Sequence, residues 1–185
     1  DCFETLSESQ TRAVMEVNFF GVLQCARLAL PALRESQGRL VVISSVAGRR
    51  AAPGSSLYNA SKFAIEGWAE GLSYELDPFG VDVVLIEPGP TESGFFEQKT
   101  WGERSIEAYD PLNERLAQLQ AKVTSKCVPV EVVTRAIERA LTQKNPPLRI
   151  PTGGNTKLQL VAKGSLPERW WRGLVQGAVK FPKQD

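Results

Sequence analysis

With 185 residues, 42% of them apolar, the chain has room for one domain and little for a second. Its 22 Lys and Arg against 21 Asp and Glu are interspersed, so charge argues for neither nucleic acid nor an anionic membrane as partner. Histidine is absent, which excludes Ser-His-Asp and Cys-His hydrolases and any histidine-ligated metal site.

In chain order, residues 7–35 read as one long helix. Ser7 with Gln10 has the spacing of a capping box. Val14, Val17, Gly21, Cys25 and Leu28 form one apolar stripe, and Met15, Phe19, Val22, Ala26 and Ala29 a second, which predicts burial on two sides. Pro31 should kink this helix or mark its last turns. "GRLVVISS" (38–45) is a β-branched apolar run, expected as a strand buried on both faces.

A loop follows, then a second helix over 56–76 and a second buried strand, "VDVVLIEPG" (81–89). This order predicts parallel β-α-β units. From 90 to 128 the pattern loosens around a short helix near 111–122. An amphipathic helix is expected over 128–144, a short strand in "PPLRIPTG", and a terminal helix over 165–180 whose Trp170, Trp171, Leu174 and Val175 form an apolar edge. Packing of that edge on the domain is expected rather than membrane contact. No apolar run reaches bilayer length and no signal peptide is visible. Cys2, Cys25 and Cys127 sit in no metal or redox spacing, and their sparse, odd count suits a reducing, cytoplasmic location.

The candidate chemistry lies in "SSLYNASKFAIEGW". Tyr58 and Lys62, four apart, share one helix face. An ammonium beside a phenol favours the phenolate and lowers a pKa that is ordinarily about 10, which makes the phenol a usable acid and base. A tyrosine resting on a lysine stem has the same spacing, so the pair alone is weak. Ser45 ends the first buried strand, at the edge where open α/β sheets bind ligands, and Ser44 competes for its role. Asn18 falls on an apolar helix face, where a buried amide needs partners; a local backbone bond or a bound water leading to Lys62 would each serve. Pro88-Gly89 closes the second strand at the same edge, with a turn that lets backbone approach a flat ligand.

"EVNFFGVL", "GRLVVISSVAG", "YNASK" and "VVLIEPGP", in this order, resemble the second half of a single-domain short-chain dehydrogenase/reductase. The resemblance is close over residues 1–95 and looser beyond. It implies a Rossmann-type α/β fold, a doubly wound parallel sheet in three α/β/α layers, of which the chain carries the C-terminal half. Within one partial domain, 1–95 would hold the catalytic elements, 96–128 the substrate loop and 129–185 a helix-strand-helix. It implies NAD(P)(H) as cofactor and hydride transfer to or from a carbonyl or secondary alcohol. Tyr58 is then the acid/base, Ser45 orients substrate, Lys62 binds the nicotinamide ribose and lowers the Tyr58 pKa, and Asn18 holds a relay water. Ser44, Pro88 and Gly89 would line the nicotinamide, with Thr91 or Ser93 near its carboxamide and phosphates. Phe95, Phe96 and Trp101 would close over an apolar alcohol or ketone.

The family's T-G-x-x-x-G-x-G turn and N-N-A-G stretch are not in this sequence. Both are expected upstream of Asp1, so preference between NAD and NADP is unreadable. Ala60, Ala64, Gly67 and Gly71 form a small-residue stripe, read either as tight packing on the chain's own sheet or as the seat of a partner helix. The family's dimers predict a homo-oligomer through helices 7–35 and 56–76. Two other readings stand beside the enzyme: an inactive fragment serving as a helix-mediated association module, and a Y-x-x-x-K epimerase or dehydratase.

Overall fold

The computed structural model describes residues 2–95 and 102–179. Three parallel strands in the order β1-β2-β3 form the sheet: β1 (Arg39–Ile43), β2 (Asp82–Pro88) and β3 (Arg149–Thr152). Val41 pairs with Val84 and Ile86 with Ile150, so β2 is hydrogen-bonded on both edges. Its alternate residues point to opposite faces. Val83 and Leu85 pack with Val42, Ile65, Ala69 and Leu72, whereas Val84 and Ile86 pack with Ala136, Ala140 and Ile150. Helices α2 (Gly21–Ser36) and α3 (Ser56–Leu76) therefore cover one face, and α5 (Glu131–Thr142) the other. Both faces of β2 are buried, as its unbroken apolar run predicts, and the architecture is α/β in three layers.

The first helical region starts as expected. Ser7 accepts from the Gln10 amide, and the Gln10 side chain accepts from the Ser7 amide, closing a capping box ahead of α1 (Glu8–Met15). Between α1 and α2 the chain makes a π turn, Glu16–Phe20. Pro31 lies near the end of α2, which stops at Ser36 with Gln37 in the left-handed region at φ 50°.

Within the single chain only one of the two expected faces of this helix is buried. Phe19, Val22, Leu23, Leu30 and Leu33 pack on the core. The other stripe faces outward, with Val17 73% and Leu28 78% exposed. Length is also corrected: taken through the π turn, Glu8–Ser36 is long and apolar enough to cross a membrane by composition alone, though its inner stripe is packed on the domain.

Further on, α4 (Asp110–Thr124) and α7 (Glu168–Val179) match the expected helices, but of the apolar edge expected to pack on the domain only Trp171 and Val175 are half-buried, Trp170 and Leu174 being exposed. Helix α6 (Thr156–Ser165) was not foreseen. Thr156 and Leu160 face inward while Leu158 and Val161 are exposed, so apolar residues on both faces blur its period.

Candidate active site

Strands β1 and β2 end side by side, and their carboxyl ends deliver Ser44, Ser45, Pro88 and Gly89 to one rim. Ser45 caps a single 3-10 turn, Val46–Gly48, by accepting from the Ala47 amide at 3.1 Å. Its hydroxyl lies 3.4 Å from the Pro88 carbonyl oxygen. That turn is pressed onto α3: a Cβ on Gly48 would stand 2.8 Å from both the Lys62 carbonyl oxygen and the Glu66 Cγ. Glycine is therefore required for the serine turn to approach the helix that carries Tyr58 and Lys62. Asn59 tightens the same junction, its side chain donating to the Ala52 carbonyl at 2.8 Å.

Across this junction the Ser45 hydroxyl and the Tyr58 phenol line the same cavity. The Lys62 ammonium donates to the Ile43 carbonyl at 3.2 Å and stands 5.9 Å from the Tyr58 ring centroid. Phe95 lies against the other aromatic, ring centroids 5.3 Å apart and planes tilted by 49°. Asn18 sits in the π turn, where its amide donates to Ser61 Oγ at 3.1 Å, and Ser61 in turn donates to the Tyr58 carbonyl at 2.8 Å. Such single π turns recur at functional sites. The amide is half-buried with a side-chain partner on α3, rather than buried with a local backbone bond.

One cavity of about 470 Å³ gathers these groups. Asn18, Ser44, Ser45, Tyr58 and Lys62 line it together with Pro88, Gly89, Thr91, Ser93 and Phe95. Phe96 and Trp101 lie outside the described residues. The Thr91 hydroxyl donates to the Gly89 carbonyl at 2.9 Å, whereas Ser93 is exposed and only 3.5 Å from the Thr91 carbonyl, which makes Ser93 the freer of the two. Ser44 is buried with its hydroxyl unpartnered, one of few such groups among the described residues.

Electrostatics differ from expectation in direction. Burial pushes the Tyr58 phenol above its ordinary value, and the Ser45 hydroxyl opposes this. Burial draws the Lys62 ammonium below its ordinary value, and the Glu66 carboxylate opposes that. Lys62 is directed at the strand-end carbonyl and stands beside the ring, so desolvation outweighs the expected lowering of the phenol.

Two residues of this region were not singled out in the sequence. Asn59 directly follows Tyr58, and Arg50 follows the serine turn; both line the cavity. Their adjacency to "YNASK" and "SSVAG" is the available signal.

Over residues 1–104 the sequence matches the family of short chain dehydrogenases. The chain belongs to that family. Among similar proteins, the 3-ketodihydrosphingosine reductase of Bacteroides thetaiotaomicron is 32% identical over 154 residues, which make up 81% of this chain and 57% of the reductase. A short-chain dehydrogenase from Streptomyces avermitilis superposes with a TM-score of 0.76 at 28% identity, covering 97% of this chain and 64% of that one. A second, from Burkholderia cenocepacia in complex with NADP, shares the fold with a TM-score of 0.69 at 23% identity, over 95% of this chain and 61% of that one. The family member described here spans about three fifths of the length of the first curated relatives it matches.

Proposed function

We propose that the protein carrying this chain interconverts a carbonyl and a secondary alcohol with a nicotinamide dinucleotide, NAD or NADP, as hydride carrier. The observation that carries this reading is the gathering of a phenol, a strand-end hydroxyl and an ammonium in one cavity at the carboxyl ends of β1 and β2. The residues fit the nicotinamide end of such a cofactor: Ser44 offers a buried hydroxyl without a partner, and Pro88, Gly89, Lys62 and Ser93 line the adjoining wall. When bound, that group supplies or accepts the hydride at the substrate carbon.

In reduction, Ser45 and Tyr58 hold the substrate oxygen by hydrogen bonds, and Tyr58 gives its proton to that oxygen as negative charge develops there. A phenol raised by burial is a proton donor across the neutral range. Lys62 stabilises the phenolate left behind, and Asn18, on the same cavity wall, is placed for the onward relay. Phe95 beside Tyr58 favours an apolar substrate.

A homo-oligomer through α2 and α3 belongs to the same reading, because Val17, Leu28, Phe63 and Tyr74 are exposed and a Cβ on Gly67 or Gly71 meets nothing within 4 Å. The small-residue stripe is thus open and not packed on its own sheet. We assign a reducing, cytoplasmic location, with which the lack of any disulfide among Cys2, Cys25 and Cys127 agrees.

The test is turnover of the full-length protein on ketones and alcohols with NADH and NADPH, in the natural sequence and in Tyr58→Phe. The substitution should lower turnover by about 10²–10⁴-fold and leave dinucleotide binding nearly intact. Normal turnover in the variant refutes the role of Tyr58. A folded natural protein without turnover on any pair would favour the association-module reading.

A further inference from the structure

The reaction cavity does not stand alone. A second cavity of about 490 Å³ has Arg50, Ala52 and Ser55 in its wall, and these same three residues line the cavity that holds Tyr58. Each volume by itself lies in the range of about 300–1,000 Å³ that serves a small molecule. The second cavity is built from side chains of α4 and α7: Leu116, Leu119, Val123, Trp171 and Val175. Its lining is mostly apolar, with Gln120 and Gln159 also in the wall. Its floor is tightly made, for Gly54 sits at φ +71° and a Cβ there would come within 2.6 Å of Leu116 Cδ1. An aliphatic chain, not water, suits such a lining.

Arg50 stands where the two cavities adjoin. Its Nε is buried and has no hydrogen-bond partner among the described residues. Burial draws its pKa down, and no carboxylate among the described residues opposes this, whereas its neighbour Arg49 pairs with Glu87 at 3.0 Å. A desolvated guanidinium without a counter-charge is unfavourable, and a carboxylate bound through the planar guanidinium fork relieves it.

We infer that the substrate is an amphipathic oxo acid or its hydroxy acid: an aliphatic chain in the α4–α7 cavity, a carboxylate on Arg50, and the reacting carbon at Tyr58 and Ser45. What happens at Tyr58 rests on the hydride-transfer reading above; occupancy of the second cavity does not. The reduction consumes one hydride from the dinucleotide and one proton from Tyr58 and turns the ketone carbonyl into a secondary alcohol, with the carboxylate and chain unchanged.

The experiment uses full-length protein and cis-parinaric acid as a fluorescent probe, displaced by decanoate or by 1-decanol. Both competitors should displace the probe from the natural protein. Arg50→Gln should weaken decanoate by about tenfold and leave 1-decanol within about twofold, which also shows that the variant is folded. Leu119→Trp, which fills the cavity, should weaken both by about tenfold. Absence of saturable probe binding, equal loss of both competitors in Arg50→Gln, or indifference to Leu119→Trp each overturns the inference. Turnover of 3-oxodecanoate is measured alongside. Binding as expected without turnover of any carbonyl retires the hydride-transfer reading and leaves the binding site standing. Turnover of short neutral ketones without probe binding does the reverse.

Discussion

Tyr58 and Lys62 have opposite burial shifts, the phenol upward and the ammonium downward, and each is opposed by one neighbour, Ser45 for the first and Glu66 for the second. Oxidation of an alcohol needs the phenolate as base, so its rate rises with pH through the Tyr58 pKa. Lys62→Met removes a positive charge 5.9 Å from the ring centroid. The phenol should then titrate higher still, and the rising limb of kcat/KM for oxidation should move to more alkaline pH. An unmoved limb in full-length enzyme would mean that the lysine acts only in binding. The order of Asn18, Ser45, Tyr58, Lys62 and Pro88-Gly89 was legible in the sequence because spacing and strand ends place them. The sign of the Tyr58 shift and the place of Arg50 were not, because both follow from how the 46–55 loop closes over α3, which no local pattern encodes.

Between elements, one electrostatic cluster joins α3, β2 and β3. Arg149 bonds Glu66 at 2.8 Å and Glu70 at 2.6 Å, and stands 3.5 Å from Glu87, which is 0% exposed. Burial, then the Glu66 charge, raises the Glu87 pKa, opposed mainly by Arg49. Arg149→Leu leaves these carboxylates under-compensated and should cost about 3–5 kcal/mol. A native carboxyl raised above its unfolded value of about 4.3 holds protons that the unfolded chain has released. Stability therefore falls as pH rises above that value, and the deficit of the variant should be larger at pH 8 than at pH 5 in urea unfolding. A pH-independent deficit would assign the loss to packing. The outward face of α2 and α3 is tested separately with Gly67→Arg. Replacing a helix-interior glycine favours the helix by up to about 1 kcal/mol, and a Cβ there meets nothing within 4 Å. The melting temperature should hold while the mass by light scattering falls to that of a monomer; an oligomer of unchanged mass would place the interface elsewhere. Two apolar stripes on residues 7–35 could not reveal which one faces the sheet, because composition records apolarity and not the direction in which a neighbour lies.

At the scale of the whole molecule, the sheet was readable because β1 and β2 are unbroken apolar runs with a helix between them, and a right-handed parallel crossover leaves few other arrangements. Helix α6 escaped because its apolar residues lie on both faces. On the proposed function, these elements build the rim for a nicotinamide, a carbonyl and the proton between them. Dinucleotide affinity has a second source, the pyrophosphate, which is normally held by backbone amides of a glycine-rich turn opening a helix. The sequence contains no T-G-x-x-x-G-x-G, and of the described glycine-containing turns beside the cavity Val46–Gly48 packs on α3, Pro88-Gly89 pairs with β3 and Gly54 is packed against Leu116. Residues 1–185 alone should therefore show no saturation when titrated with NADPH or NADH to about 1 mM by nicotinamide fluorescence. Micromolar binding by this chain would mean that its own residues hold the phosphates. On the proposed function, a glycine-rich strand-turn-helix supplied in trans or at the N-terminus should raise that affinity without altering any residue of the Tyr58 cavity, because phosphates and nicotinamide would be held by different residues.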